Sequence, residues 1–146
     1  MLIIGVRITD LPDNIKKLVL KQMQEEYVAE QKSKFKNIKT ELNGISFASK
    51  KEAKRFDELL ILRSQGLIRD LKLQPSFTLQ ESYVTPDGKR VRAIRYIADF
   101  SYDKLISDNL WELVVEDVKS KATKTPIYNT KKKMMLHKYG ITVQEV

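Results

Sequence analysis

Trp111-Glu112-Leu113-Val114-Val115-Glu116-Asp117-Val118-Lys119 is the stretch on which the fold turns. Side chains alternate along a strand, so Trp111, Leu113, Val115, Asp117 and Lys119 share one face while Glu112, Val114, Glu116 and Val118 share the other. The first face is apolar until Asp117 and Lys119 close it with opposite charges. Upstream, Arg90 to Phe100 carries a second strand signal, with Ala93, Arg95, Ile97 and Asp99 on one face. Asp99 thus also ends a strand that reads as mostly buried. A polar loop containing Asp103, Asp108 and Asn109 is expected between the two strands.

Downstream, a basic loop leads to Thr125-Pro126, which start a helix that runs to about Lys138 and is closed by Gly140; Ile141 to Val146 then reads as a terminal strand. Strand, helix, strand at this spacing predicts a crossover between parallel neighbours. Moving toward the N-terminus, Thr85-Pro86-Asp87-Gly88 is a turn with a physical basis, since Pro fixes φ and Gly supplies φ > 0. Residues 67–84 have strand-like apolar spacing interrupted by Pro75. Before them Ser49 caps a helix whose stripe is Ala53, Phe56, Leu59 and Leu60, with Glu52 at the capping-box position and Gly66 at its end. Asn43-Gly44 marks a hairpin turn. Ile15, Leu18, Val19, Met23, Tyr27 and Val28 form a narrow helical stripe over 14–34, and residues 1–9 read as a short strand or an ordered arm. The expected fold is therefore α+β with α/β-like character: a mixed β-sheet flanked by helices. An arm and helix over 1–34 would serve as a dimerisation element, and 35–146 would form the main domain.

Composition narrows the function classes. The chain has 146 residues, no cysteine and a single histidine, His137. No disulfide framework, iron–sulfur cluster, thiolate-zinc site or cysteine nucleophile is possible, and a His-rich metal site is excluded. His137 reads as an ordinary helix-end residue. No apolar run is long enough for a membrane span, and Arg7 interrupts the opening apolar residues, so a cytoplasmic protein is expected. The net charge is +8, distributed as +4 over 31–60, −2 over 91–120 and +5 over 121–146. An acidic stretch between basic ones is a cost for a simple phosphate-binding module. For a metal-dependent enzyme acting on phosphates, the same acids hold the cation.

Burying carboxylates costs several kcal/mol unless something pairs them. Asp99 and Asp117 leave two readings open. In one, Asp117 pairs with Lys119 and Asp99 caps a turn. In the other, both carboxylates are hard oxygen ligands for a divalent cation and Lys119 lies beside an attacking water. Glu52 is likewise either a capping-box residue or a carboxylate directed at the sheet edge.

Asp99, then Asp117-Val118-Lys119, with the earlier helical Glu52, resembles the core of PD-(D/E)xK nucleases. Phe47-Ala48-Ser49-Lys50-Lys51-Glu52, Tyr96-Ile97-Ala98-Asp99-Phe100 and Val114-Val115-Glu116-Asp117-Val118-Lys119 are similar to segments of endonuclease I type Holliday-junction resolvases. Residues from about Lys34 to Val146 also resemble a phage- and prophage-encoded family in that superfamily. Ala98 stands where the superfamily has Pro, Asp117 where many members have Glu, and Ser120 where Gly often follows the lysine.

The resemblance implies a restriction-endonuclease-like core and a Mg²⁺- or Mn²⁺-dependent DNA endonuclease acting on branched DNA. Asp99 and Asp117 would be metal ligands, with Glu52 joining them directly or through water, and Lys119 would orient or deprotonate the nucleophilic water. Gln74 would lie near the site. Arg92, Arg95, Lys121, Lys124, Lys131, Lys132 and Lys133 would hold DNA phosphates, and Tyr128 would stack or hydrogen-bond nearby. Cutting two strands symmetrically implies a homodimer. The rival expectation is a non-catalytic nucleic-acid-binding accessory protein of the same fold.

Overall fold

The computed structural model describes residues 7–34 and 47–146, with the side chains of 32–34 and 121 set aside. The Asn43-Gly44 hairpin and most of the N-terminal arm lie outside these residues. Within the arm, Ile8–Asp10 forms one 3₁₀ turn rather than a strand. The chain divides into two compact units, Met1–Leu67 and Ile68–Val146.

The first unit pairs helix α1 (Asp13–Lys34) with α2 (Lys50–Ser64). The Ser49 hydroxyl accepts the backbone N–H of Glu52 at 3.1 Å, which fixes where α2 begins. Tyr27 of α1 meets Phe56 of α2 edge-on with ring centroids 5.5 Å apart. Gln24 donates to Asp57 at 2.6 Å, and Arg63 pairs with Glu30 while lying over the Tyr27 ring. Thus the C-terminal part of the α1 stripe, Met23 and Tyr27, is buried, whereas Ile15 and Leu18 are exposed. Half of the expected dimer stripe is already used inside the chain.

The second unit contains eight strands and one helix: β1 (Ile68–Leu73), β2 (Ser76–Gln80), β3 (Tyr83–Val84), β4 (Arg90–Val91), β5 (Ile94–Ile97), β6 (Phe100–Ser107), β7 (Leu110–Asp117), α3 (Pro126–Tyr139) and β8 (Gln144–Glu145). The main sheet has the order β1-β6-β7-β8; its first three strands are antiparallel, while β8 runs parallel to β7. β2 pairs with β5 and β3 with β4 in two small sheets. The fold is α+β with a mixed sheet, and α3 supplies the expected crossover between parallel strands.

Several boundaries differ from expectation. The segment 90–100 is two short strands plus the start of a third, because the chain changes sheets at Ala98-Asp99. There the Ala98 N–H reaches the Pro75 carbonyl and the Asp99 N–H reaches that of Glu116. Asp103 lies within β6, not in a loop, and the turn at Asp108-Asn109 is tight, with Asn109 at φ 59°. β7 stops at Asp117, and the terminal strand is reduced to two residues.

The core of this unit explains where α3 sits. Tyr128 and Met135 of α3 pack with Val115 of β7, Tyr96, Ala98, Leu79 and Val143. Met135 and Val115 are fully buried, each worth about 1.5–3 kcal/mol of apolar transfer. The helix is started by the Thr125 hydroxyl accepting from the Tyr128 N–H and ended by Gly140 at φ 66°. The same face of β7 continues from Val115 to Asp117, so the start of α3 comes to lie beside that carboxylate.

Candidate functional site

Asp99 and Asp117 come together where β6 begins and β7 ends. Each carboxylate is held by the other's stretch of backbone: the Asp99 N–H donates to Asp117 Oδ1 at 3.1 Å, and the Val118 N–H donates to Asp99 Oδ2 at 2.8 Å. The Tyr96 hydroxyl donates to Asp117 Oδ2. The two acids are therefore fixed relative to one another by β-sheet geometry. A carboxylate oxygen has two lone pairs, so such bonds leave acceptor capacity for a cation.

Asp117 is 2% exposed. Burial pushes its carboxyl up to about 6 from an ordinary 3.8, against the opposing pull of the Lys119 charge and the Asp99 N–H, with the charge of Glu145 adding to the rise. Asp117 is thus a carboxylate whose ionised form is incompletely compensated by the protein. That is the donor chemistry a divalent cation matches. Among the described residues, no group of three or more acidic or histidine side chains is arranged to hold a metal ion.

Lys119 lies two residues past the end of β7, where its N–H bonds the Val146 carbonyl at 3.1 Å. Its ammonium stands 4.6 Å from the centre of the Tyr128 ring, and that of Lys132 stands 5.1 Å away. Tyr128 is both a core aromatic and a platform for two cations. Its hydroxyl is buried without a hydrogen-bond partner among the described residues. Burial and the charges of Asp117, Glu145 and Asp99 push the phenol well above its ordinary value, so it stays neutral.

Asp117, Lys119, Tyr96 and Tyr128 line an open cleft of about 300 Å³, while Asp99 lies outside its lining. Its lining also includes Arg95 and Ile97 of β5 and Ile127 and Lys131 of α3. On β5 the expected alternation holds: Tyr96 and Ala98 point into the core, and Arg95 and Ile97, on the shared face, are exposed. Tyr96 points inward because its ring packs in the core while its hydroxyl serves Asp117.

The basic residues expected to hold phosphates divide into three groups. Arg95 and Lys131 line the cleft. Lys124 and Lys132 both pair with Glu145, the former at 2.7 Å, and their hydrogen bonds hold the Glu145 carboxyl below its ordinary value. Arg92 is exposed between β4 and β5, and Lys133 borders a separate groove with Leu79 and His137. Lys121 begins a 3₁₀ turn, Lys121–Thr123. Gln74 contributes through its backbone: it adopts φ 49°, and its N–H donates to the Asp99 carbonyl at 2.9 Å, while the side chain is exposed. Glu52 belongs to the first unit, where it is buried in the first turn of α2.

Sequence reasoning missed Tyr96 and Glu145. The signal for Glu145 was present, as it is the only acid among residues 121–146. It sits in register beside Asp117 on the parallel neighbour strand. Glu116, on the opposite face of β7, is a further buried carboxylate and accepts from the Tyr102 hydroxyl.

Residues 32–144 match the family described as protein of unknown function (DUF1064). The chain belongs to this family. The match includes α2 and, in the second unit, every strand from β1 to β7 and α3, and so takes in Asp99, Asp117 and Lys119. Neither a curated protein nor a solved structure matches the chain. No helix among the described residues is long and apolar enough to cross a membrane.

Proposed function

We propose that this protein is a divalent-metal-dependent DNA endonuclease, hydrolysing phosphodiesters in branched DNA during phage recombination or replication in the host cytoplasm. The observation that carries the reading is the Asp99–Asp117 pair locked by backbone hydrogen bonds, with Asp117 and Lys119 lining a cleft that also holds Arg95 and Lys131. Asp99 and Asp117 hold Mg²⁺ or Mn²⁺, and by sequence resemblance Glu52 belongs to the same ligand set. The cation supplies Lewis acidity and lowers the pKa of bound water when present.

The chain's own residues perform the rest. Lys119 orients the nucleophilic water and offsets negative charge on the transition state. Its place over the Tyr128 ring limits where its ammonium rests. Arg95 and Lys131 hold phosphate oxygens along the cleft without reading base edges, so recognition follows DNA structure and backbone. Glu145 draws Lys124 and Lys132 toward the end of β7, adjoining the cleft. A homodimer presents two such clefts, with the exposed Ile15 and Leu18 of α1 available for contact between copies.

Incubation with a four-way junction, a matched duplex and single-stranded DNA, each with Mg²⁺, Mn²⁺ or EDTA, tests the reading. Cutting with either cation and none in EDTA is expected, with the junction cut fastest. DNA bound yet uncut under every condition would favour a binding protein.

A further inference from the structure

β5 and α3 each bring to the cleft one cation and one exposed aliphatic side chain at the spacing that puts both on the same face. On β5 these are Arg95 and Ile97, two residues apart on a strand; on α3 they are Ile127 and Lys131, four apart on a helix. Ile97 is 62% exposed and Ile127 is 69% exposed, among the most open large apolar side chains of the second unit. A single exposed isoleucine is ordinary. Two of them lining the cleft that also holds Asp117 and Lys119, each two or four residues from a cation, define a surface that is apolar and anion-selective at once.

A continuous duplex satisfies only half of that surface. It presents phosphates outward, but the apolar faces of its bases are hidden in the stack, and aliphatic side chains reach them only by insertion between steps. A nucleotide with an unstacked base offers phosphate and apolar base face together. From this we infer that Ile97 and Ile127 are specificity-determining residues, packing against an unstacked nucleobase whose phosphates lie on Arg95 and Lys131. The inference rests on the nuclease reading for its substrate class and adds the structural feature of DNA that the cleft selects.

The test uses the full chain in EDTA, with fluorescence anisotropy on a matched duplex and on the same duplex carrying a small bulge of unpaired thymines. The wild type is expected to hold the bulged DNA about tenfold more tightly. In the Ile97→Ser/Ile127→Ser protein the ratio falls to near one, and in Ile97→Leu/Ile127→Leu it returns. Both positions are exposed, so thermal melting of all three proteins should coincide. A wild-type ratio near one, or a ratio kept by the serine protein, overturns the inference. A parallel incubation of wild type with Mg²⁺ separates this from the nuclease reading: preference without cutting sinks the nuclease, and equal cutting of both DNAs with equal binding sinks the preference.

Discussion

The two ends of the β6–β7 hairpin carry similar residues in opposite settings. At the turn end, Arg69 lies over the Trp111 ring at 4.2 Å and pairs with Asp103 at 3.4 Å, and Leu110 and Leu113 are exposed. At the other end Asp117 is buried, bonded by Tyr96 and Asp99, and faces Lys119 in a cleft. A partly exposed carboxylate with an exposed arginine beside it is explained by surface pairing, worth about 0.2–1 kcal/mol. The buried one costs stability in its ionised form, and such a costly charge lining a cleft makes Asp117 a candidate for chemistry. The proposed function assigns the chemistry to the buried carboxylate and leaves the other as a surface partner.

The largest expected effect tests that separation through activity. Lys119→Ala should lower single-turnover cleavage by about 10²–10³-fold, the usual cost of a preorganised charge at a reacting phosphate, whereas Asp103→Asn should remain within about twofold. Comparable losses from both would erase the distinction between the two ends.

Stability gives the next effect. Because the folded-state value of Asp117 lies above its unfolded value, the folded chain holds the extra proton between pH 3.8 and about 6. The stability contributed by the neutral acid is fully present below pH 3.8 and is lost as pH rises through 6. Raising this carboxyl from 3.8 to about 6 costs on the order of 3 kcal/mol at neutral pH. Urea denaturation in EDTA should therefore find Asp117→Asn more stable than wild type at pH 8, by up to that amount, and the advantage should shrink toward pH 4. A less stable variant at pH 8 would identify Asp117 as a structural charge.

Mg²⁺ at about a hundred times its Kd should stabilise the wild type by about 2.7 kcal/mol and leave Asp117→Asn unmoved. Tyr96→Phe, which removes the hydroxyl donor to Asp117 while keeping the ring in the core, should cost about 1–3 kcal/mol. Arg69→Ala at the turn end should cost no more than about 1 kcal/mol, since its guanidinium is half exposed. These follow from thermal and denaturant unfolding at matched pH.

Much of this contrast was legible in the sequence because it rests on local rules. Ser49 and Gly66 around α2, Thr125-Pro126 and Gly140 around α3, and Pro86-Asp87-Gly88 between β3 and β4 are caps and turns whose chemistry is set within a few residues. Val115 and Asp117 do share a side, both meeting Tyr96, but Leu113 of the same expected apolar face is exposed and Glu116 of the other face is buried. What escaped depended on distant partners. Which face of β5 is buried is not set by parity alone, and the Tyr96–Asp117 bond that accompanies the burial of Tyr96 spans 21 positions. The claim of Glu145 on Lys124 and Lys132 required the parallel pairing of β8 with β7. The break at Ala98-Asp99 arose from a change of sheet, which no strand propensity encodes.

Single-turnover incubation of wild type and Asp117→Asn with a labelled four-way junction, with Mg²⁺ and with EDTA, most directly tests the account. Cleavage by the wild type alone, and only with the cation, is the predicted result. A folded wild type that leaves the junction intact, or an Asp117→Asn protein that cuts as fast, would contradict it.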